Sequence, residues 1–306
     1  MSILVVGSVA YDTVETPVGR AERVLGGSAS FFAVAASFFA PVNLVGVVGD
    51  DFGDAQLAAF RDRPIDLAGL ERAPGKTFHW QGRYSQDLNS RDTISTELNV
   101  FEFFEPKIPE GYRSSELVFL GNIDPILQRR VLEQVDKPRV VACDTMNFWI
   151  KGKPRELRET LAKVQVLLIN DQEARELSGE WNLVRAARAI RAMGPQTLVV
   201  KKGEHGVMMF TDHGSFATPA LPLDSVVDPT GAGDTFAGGF IGYLASAPEL
   251  GDAALRQAVV MGSTLASFCV EAFSLDRLLT LTRTEIEIRY GVFEKLTRFQ
   301  SLVAGP

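Results

Sequence analysis

The chain is poor in the residues that staple or metallate proteins. Its 306 residues include two cysteines and three histidines. Cys143 and Cys269 lie in apolar surroundings, VVACDT and ASFCVEAF, which reads as two buried thiols in a reducing compartment rather than a disulfide framework. His79, His205 and His213 are far apart, and no cysteine–histidine spacing for zinc occurs. Positive charge is also short: 31 Lys and Arg against 38 Asp and Glu leave a formal charge of −7. An acidic surface argues against nucleic acid or an anionic membrane as partner, yet leaves room for a small anion held by local positive potential. No apolar run is long enough to span a bilayer. The opening MSILVVGSVAYD lacks a basic leader region, so the expectation is a cytoplasmic protein. Familiar site signatures are missing too. There is no GxxxxGK[ST] loop and no GxSxG elbow, and the first strand ends in Gly7-Ser8-Val9-Ala10 rather than GxGxxG.

What is present is apolar mass in a regular rhythm. Hydrophobic residues make up 46% of the chain, enough for the core of one large α/β domain over 1–306. Short apolar runs at 3–6, 43–48, 117–120, 140–143, 166–169 and 197–200 read as buried strands. Helical patterns at 28–39, 54–61, 125–135, 154–163, 172–178 and 183–193 lie between them. Strand alternating with helix predicts a central, mostly parallel sheet flanked by helices. Beyond Gly233 the patterns at 234–245, 253–270 and 283–300 are all helical. Two stretches break the rhythm. Residues 11–25 are polar with Pro17 and Gly19, and residues 77–104 alternate around a turn signal at 87–91. Both fit a small β-sheet appendage, either an idle edge hairpin or a lid over a ligand.

The densest chemistry lies in DPTGAGDTFAGGF, residues 228–240. Glycines on either side of Ala232 let consecutive N–H groups converge on one point. A helix starting near Gly233 adds free N–H groups and the positive end of its dipole. Gly231, Ala232 and Gly233 thus form a backbone anion hole that needs no side-chain charge. Asp234 conflicts with that hole, because a carboxylate repels an anion. It could simply complement the helix dipole. Phosphoryl transfer gives it a stronger reason, as the base that accepts the proton of an attacking hydroxyl.

Other polar groups stand at strand ends, where ligands bind in parallel sheets. Asn170 and Glu173 follow the run at 166–169, and either form a capping box or hold the water shell of Mg²⁺. Lys202, Gly203 and Gly206 follow the run at 197–200 and could face a nucleotide phosphate or solvent. Asp144 ends the run at 140–143, and Asn122 follows 117–120. Asp12 comes soon after the first strand, and Gly26-Gly27 opens a helix where a ligand can approach the backbone closely.

In order and spacing these residues resemble the ribokinase-like, or PfkB-type, carbohydrate kinases. The resemblance rests on DPTGAGDTFAGGF, Gly26-Gly27, Val48-Gly49-Asp50-Asp51-Phe52-Gly53, Asn170-x-x-Glu173 and Lys202-Gly203-x-x-Gly206, and it covers nearly the whole chain. It implies an α/β sheet with a small β lid, here about 11–25 and 77–104. It also implies transfer of the γ-phosphate of ATP, with Mg²⁺, to a hydroxymethyl group. Carried over, Asp234 is the base, and Gly231, Ala232 and Gly233 are the hole. Asn170, Glu173, Lys202, Gly203, Gly206 and Thr230 serve the nucleotide and Mg²⁺. Asp12, Gly26, Gly27, Asn122 and Asp144 contact the acceptor. Asp228 and Thr230 match positions that help a monovalent cation such as K⁺ bind in some relatives. Lids in this family often pair into homodimers.

Two departures touch the acceptor. Phe31 stands where the family often has an asparagine, and Phe148-Trp149 follows Asn147 where an arginine is usual. A sugar or polyol is the leading acceptor. A nucleoside is the alternative, with Phe31, Phe32, His79, Trp80 and Tyr84 available to stack on a base. A non-catalytic sugar or nucleotide sensor is the rival of another class, although a pure binder gains nothing from Asp234.

Overall fold

The computed structural model describes residues 1–299. The central sheet uses β1 (Ile3–Val6), β4 (Val42–Val48), β5 (Ile65–Arg72), β8 (Leu117–Leu120), β9 (Val140–Asp144), β10 (Val166–Asn170), β11 (Thr197–Lys201), β12 (Val207–Thr211) and β13 (Gly214–Thr218). Its order is β13-β12-β11-β10-β9-β8-β1-β4-β5. The strands from β11 to β5 pair in parallel, and β12 and β13 add an antiparallel edge. A second sheet joins β2 (Ala10–Thr16), β3 (Gly19–Gly26), β6 (His79–Tyr84) and β7 (Arg91–Glu97) in the order β3-β2-β6-β7. It occupies both stretches that broke the sequence rhythm, except that residues 99–103 form a 3₁₀ turn rather than strand.

The inner strands read as continuous apolar runs because both faces of the sheet are covered. Ile3 and Val5 face one core layer, Leu4 and Val6 the other. The first layer packs α1 (Ser28–Ala36), α8 (Ala232–Ser246) and α9 (Asp252–Cys269), with α2 (Asp54–Arg61), α10 (Asp276–Thr280) and α11 (Arg283–Thr297) at its rim. The second packs α3 (Pro125–Leu132), α4 (Asn147–Gly152), α5 (Pro154–Leu161), α6 (Asp171–Ser178) and α7 (Leu183–Arg191). Phe32 of α1 stacks on Phe119 of β8 with centroids 4.2 Å apart.

Boundaries differ from expectation where side chains bond the backbone or apolar pattern is weak. Helix α1 stops at Ala36 rather than residue 39, where the Ser37 hydroxyl donates to the Val34 carbonyl at 2.7 Å just before Pro41. β5 and β13 are the sheet edges, carry exposed residues and lack the buried-strand pattern, while β12 lies inside the sheet and is largely buried. The expected end of the last helix at Gln300 lies outside the described residues.

For function the point that matters is the carboxyl edge of the sheet. Chain order reverses between β8 and β1, which opens a crevice beyond their ends. Asn122, Asp144, Asn170 and Lys201 stand at or just past the ends of β8, β9, β10 and β11, all on this one edge.

Candidate active site

Helix α8 enters the crevice by its N-terminus. Gly231 is its N-cap, at φ 75°, ψ −3°. That left-handed conformation suits glycine, and a Cβ here would also overlap the Phe31 ring. Phe31, 1% exposed, is thus the floor beneath the loop and has no face free for a ligand. The Ala232 N–H closes the turn by donating to the Pro229 carbonyl at 3.2 Å. The N–H groups of Gly231 and Gly233 take no backbone partner in this turn, so both are available to an anion. Asp228 Oδ1 braces the loop by accepting from the Thr230 N–H at 2.8 Å.

Asp234 sits in the first turn of α8, half-buried beside these N–H groups. Burial, and then the charge of Asp144, push its carboxyl up to about 7; Lys201 and Arg91 pull the other way. Asp12, on β2 and 7% exposed, shares this environment. Burial and the charge of Asp228 raise it to about 7 as well, against the Gly27 N–H that bonds it. Any side chain on Gly26 would overlap the Asp12 carboxylate, so the glycine pair and the aspartate form one unit. The helix α1 starts directly after it, with Gly27 as N-cap.

On the other side of Asp234 lies a buried ion pair. Lys201 Nζ meets Asp144 Oδ2 at 3.0 Å. Burial disfavours the charged lysine, but Asp144, Glu173 and Asp234 outweigh it and hold the ammonium charged. The same Nζ comes within 3.1 Å of the point a Gly233 Cβ would occupy, so this cation abuts the anion hole. Lys202, by contrast, shapes the next turn: its N–H donates to the Gly206 carbonyl at 2.8 Å. Gly203 and Gly206 lie in that turn, which Asn89 of the second sheet reaches through Glu204.

Asn170 and Glu173 form the capping box, with Asn170 Oδ1 accepting from Glu173 N–H at 2.7 Å and Glu173 Oε2 from Asn170 N–H at 2.8 Å. The cap does not remove Glu173 from the crevice. Its carboxyl is raised by burial and by Asp144, and lowered by Lys201 and Arg91. Among the described residues no three His, Cys, Asp or Glu side chains converge on a metal position. The acidic groups therefore fit Mg²⁺ that keeps its waters and phosphate ligands, held through Glu173 and Asn170. Asp228 is 1% exposed, and its Oδ2 is buried without a hydrogen bond, which fits a bare monovalent cation.

Asn122 is engaged by its neighbours. It donates from Nδ2 to Met146 Sδ at 3.0 Å and accepts from Trp149 Nε1 at 3.0 Å. The Phe148-Trp149 departure is explained in part, since Trp149 orders the strand-end loop. Gln128, which the sequence did not single out, ties two strand ends together: its Nε2 donates to the carbonyls of Gly121 at 2.9 Å and Asp144 at 3.0 Å.

The second sheet lies over this crevice. Tyr84, 8% exposed, shares a hydrogen bond of 3.2 Å with the Thr230 hydroxyl. Asn89 at the β6–β7 turn donates to Glu204 Oε1 at 2.9 Å. Register puts Asp12, Trp80, Gly82, Tyr84 and Arg91 on one face of the sheet, turned to the crevice. His79 lies on the other face, bonded to Thr13 at 2.9 Å. Arg91 was not anticipated from sequence; its one signal is that it closes the hairpin opposite Tyr84.

The geometry thus holds free backbone N–H groups at a helix start, a half-buried carboxylate among them, a paired ammonium beside them and a sheet above. Comparisons with known proteins agree with it. The family model of the pfkB carbohydrate kinases matches residues 1–280. A cytidine kinase of Thermococcus kodakarensis is 34% identical over 257 residues, covering 81% of this chain and 90% of that protein. A 2-dehydro-3-deoxygluconokinase of Thermoproteus tenax is 37% identical over 237 residues, covering 72% and 73%. The fold matches that of a Burkholderia thailandensis nucleoside kinase in complex with inosine, at TM-score 0.76 and 19% identity over 95% of this chain and 98% of that one. With a family match over most of its length and a relative at 34% identity, the chain belongs to the pfkB family of carbohydrate kinases, ATP-dependent enzymes that phosphorylate a hydroxyl of a small sugar or nucleoside.

Proposed function

We propose that the acceptor is a nucleoside, phosphorylated on its hydroxymethyl group beneath a lid formed by residues 11–25 and 77–104. The observation that carries this reading is Trp80. A Cβ on Gly82 would overlap its ring, so Trp80 lies across the glycine as a flat platform on the crevice side of the lid. The rival sugar reading leaned on hydroxyl partners at Asp12, Asn122 and Asp144. Asn122 is bonded to Met146 and Trp149, and Asp144 to Lys201, which leaves Asp12 with Gly26 and Gly27 for a single diol. One diol plus one stacking surface suits a ribose carrying a base. The cytidine kinase relative supports the same assignment.

In this reading Asp234 takes the hydroxyl proton, and the N–H groups of Gly231 and Gly233 stabilise oxygen charge as it moves. Lys201 holds the nucleotide phosphates and steadies Asp234. Asn170 and Glu173 would hold the waters of Mg²⁺, and Asp228, with its unbonded Oδ2, and Thr230 would hold a monovalent cation such as K⁺. Bound Mg²⁺ supplies neutralisation of phosphate oxygens. Lid closure excludes water and so suppresses ATP hydrolysis. Two buried free thiols fit a cytoplasmic location. The lid edges β3 and β7 fit a homodimer formed lid to lid.

The test is ADP release from ATP and Mg²⁺ with nucleosides, sugars and polyols, cytidine first. Nucleosides are expected to give the highest kcat/KM. A sugar or polyol preferred over every nucleoside overturns the acceptor assignment; ATP binding without turnover on any alcohol supports a sensor instead. Trp80→Ala should raise the nucleoside KM by about 5–150-fold, from roughly 1–3 kcal/mol of stacking per base, with kcat little changed. An unchanged KM removes Trp80 from the site.

Lys201→Met probes the electrostatics. A cation favours the ionised carboxylate, so its loss raises the pKa of Asp234. The acid limb of the kcat–pH profile should then move upward by roughly 1 unit or more. A limb that stays in place means that the titrating group is not Asp234.

A further inference from the structure

The stretch Val48-Gly49-Asp50-Asp51-Phe52-Gly53 takes no part in the chemistry above, yet it lies where the second sheet joins the core. The chain crosses between the two sheets four times: into β2 at Ala10, out of β3 at Gly26, into β6 at His79 and out of β7 at Glu97. Every crossing is tied to Asp51 or Thr77. The Tyr11 phenol donates to the Asp51 carbonyl at 2.9 Å. The Arg23 guanidinium donates to Asp51 Oδ2 at 2.9 Å and lies over the Tyr11 ring, 4.5 Å from its centroid. Asp51 Oδ1 accepts from the Thr77 N–H at 2.7 Å and from the Thr77 hydroxyl at 2.6 Å. That hydroxyl in turn accepts from the Gly49 N–H at 2.9 Å. Asn99, just past β7, donates to the Thr77 carbonyl at 3.0 Å. Thr77 is 1% exposed, and its N–H, carbonyl and hydroxyl are all bonded within this cluster. A side chain on Gly49 would overlap the backbone of Gly75 and Thr77, so the two segments are in direct contact. Burial raises the Asp51 carboxyl, but the Thr77 bonds and Arg23 outweigh it and hold it below its usual range. An exposed ion pair alone counts for little. Here the pair closes a network whose other members are buried. Arg23 also holds a left-handed backbone, φ 48°, that other residues adopt more readily, so its head group is what suits it to the position.

We propose that Asp51, Thr77 and Arg23 form a clasp that seats the second sheet over the crevice, and that the three are positioning residues for the acceptor. None of them reaches the acceptor itself. The residues that do, Asp12, Gly26 and Trp80, lie one to three positions along the chain from Tyr11, Arg23 and Thr77, on the strands that the clasp roots. A shift at the roots is carried to Asp12 and Trp80 with no change in either side chain, and a misplacement of ~1 Å is enough to cost about 10²-fold in rate. Lys201, Glu173 and the turn at Gly231 belong to the core, so nucleotide binding does not depend on the clasp. The inference rests on the second sheet being the lid, and it holds whichever alcohol is the acceptor.

The experiment measures kcat and KM for ATP and for whichever acceptor turns over, with thermal midpoints, in variants of the full chain. Asp51→Ala should lower kcat/KM for the acceptor by about 10²-fold, while the KM for ATP moves by less than about threefold. Asp51→Asn keeps an oxygen for Thr77 and loses only the charge toward Arg23, so it should lose less. Arg23→Met should match Asp51→Asn, and the double variant should be no worse than either. Arg23→Gly relaxes the backbone and should still lose what Arg23→Met loses. Thr77→Val should fall toward Asp51→Ala, and Thr77→Ser should keep wild-type kinetics; this pair decides the matter if Asp51→Ala does not fold. Wild-type acceptor kinetics in Asp51→Ala or Thr77→Val would overturn the clasp. So would strict additivity of Arg23→Met with Asp51→Asn, or equal losses for ATP and acceptor, which would mean a general loosening of the fold. Trp80→Ala separates the two ways of failing. A raised acceptor KM in Trp80→Ala with none in Asp51→Ala would overturn the clasp alone; an unchanged KM in both would overturn the lid reading with it.

Discussion

Asp234→Asn is expected to lower kcat by about 10²–10⁴ while raising the thermal midpoint at pH 8. Both effects come from one feature, the burial of a carboxylate among others. As a base, Asp234 must be ionised, and burial with Asp144 nearby places its pKa at about 7. Turnover should therefore climb as pH rises through that value, since a pKa near working pH suits proton transfer. The stability effect has the opposite sign. The folded-state pKa lies above the unfolded value of 3.8, so between the two the native state binds more protons than the unfolded chain. Native stability falls across that window, and above pH 7 the full penalty of an ionised buried group is in force. Asparagine cannot ionise and escapes the penalty. At pH 3, where aspartate is protonated in both states, the two proteins should melt alike. Thermal unfolding at the two pH values, beside kcat on the best acceptor, gives both readings. A variant that melts lower than wild type at pH 8 removes the argument from buried charge; one with near-normal turnover removes Asp234 from the mechanism.

That conflict was partly visible in the sequence, because a carboxylate directly after a glycine-built anion hole needs a reason. The parallel core was legible for a related cause: strands buried on both faces become continuous apolar runs, and β1 and β8 through β11 each carry one. The edge strands β5 and β13 carry no such mark and could not be seen, whereas β12 is an inner strand with an apolar run of its own. The second sheet showed as alternation, because it is not covered on both faces. What the sequence could not show was the direction of side chains within a turn. Lys201 and Lys202 are adjacent, yet only the first, as the last residue of β11, points into the crevice beside Gly233. Asn122 stands where a ligand contact was expected, but Met146 and Trp149 take its amide. Arg91 is 143 residues from Asp234 by number and meets its charge only because the β6–β7 hairpin folds down onto Thr230.

Gly231→Ala is expected to lower kcat by about 10²–10³, through the hole rather than through Asp234. Two costs act together. The φ of 75° costs a non-glycine residue about 1–2 kcal/mol, and the new methyl meets the Phe31 ring. The ring cannot step aside, since Phe31 is 1% exposed and packed in the main core. The loop must shift instead, which misaims the N–H groups of Gly231 and Gly233. Phe31→Ala separates the two costs. Alone it should destabilise by about 3–5 kcal/mol, as core phenylalanine truncations do. Combined with Gly231→Ala it should cost less than the sum, because the cavity accepts the methyl, and part of kcat should return. The dihedral strain stays, so recovery should be incomplete. Strict additivity in both stability and kcat would mean that the ring does not support the loop. Less than additive loss would give Phe31 a role for which the family's asparagine is unsuited here: holding the anion hole from beneath, with acceptor recognition left to Asp12, Gly26, Gly27 and the lid.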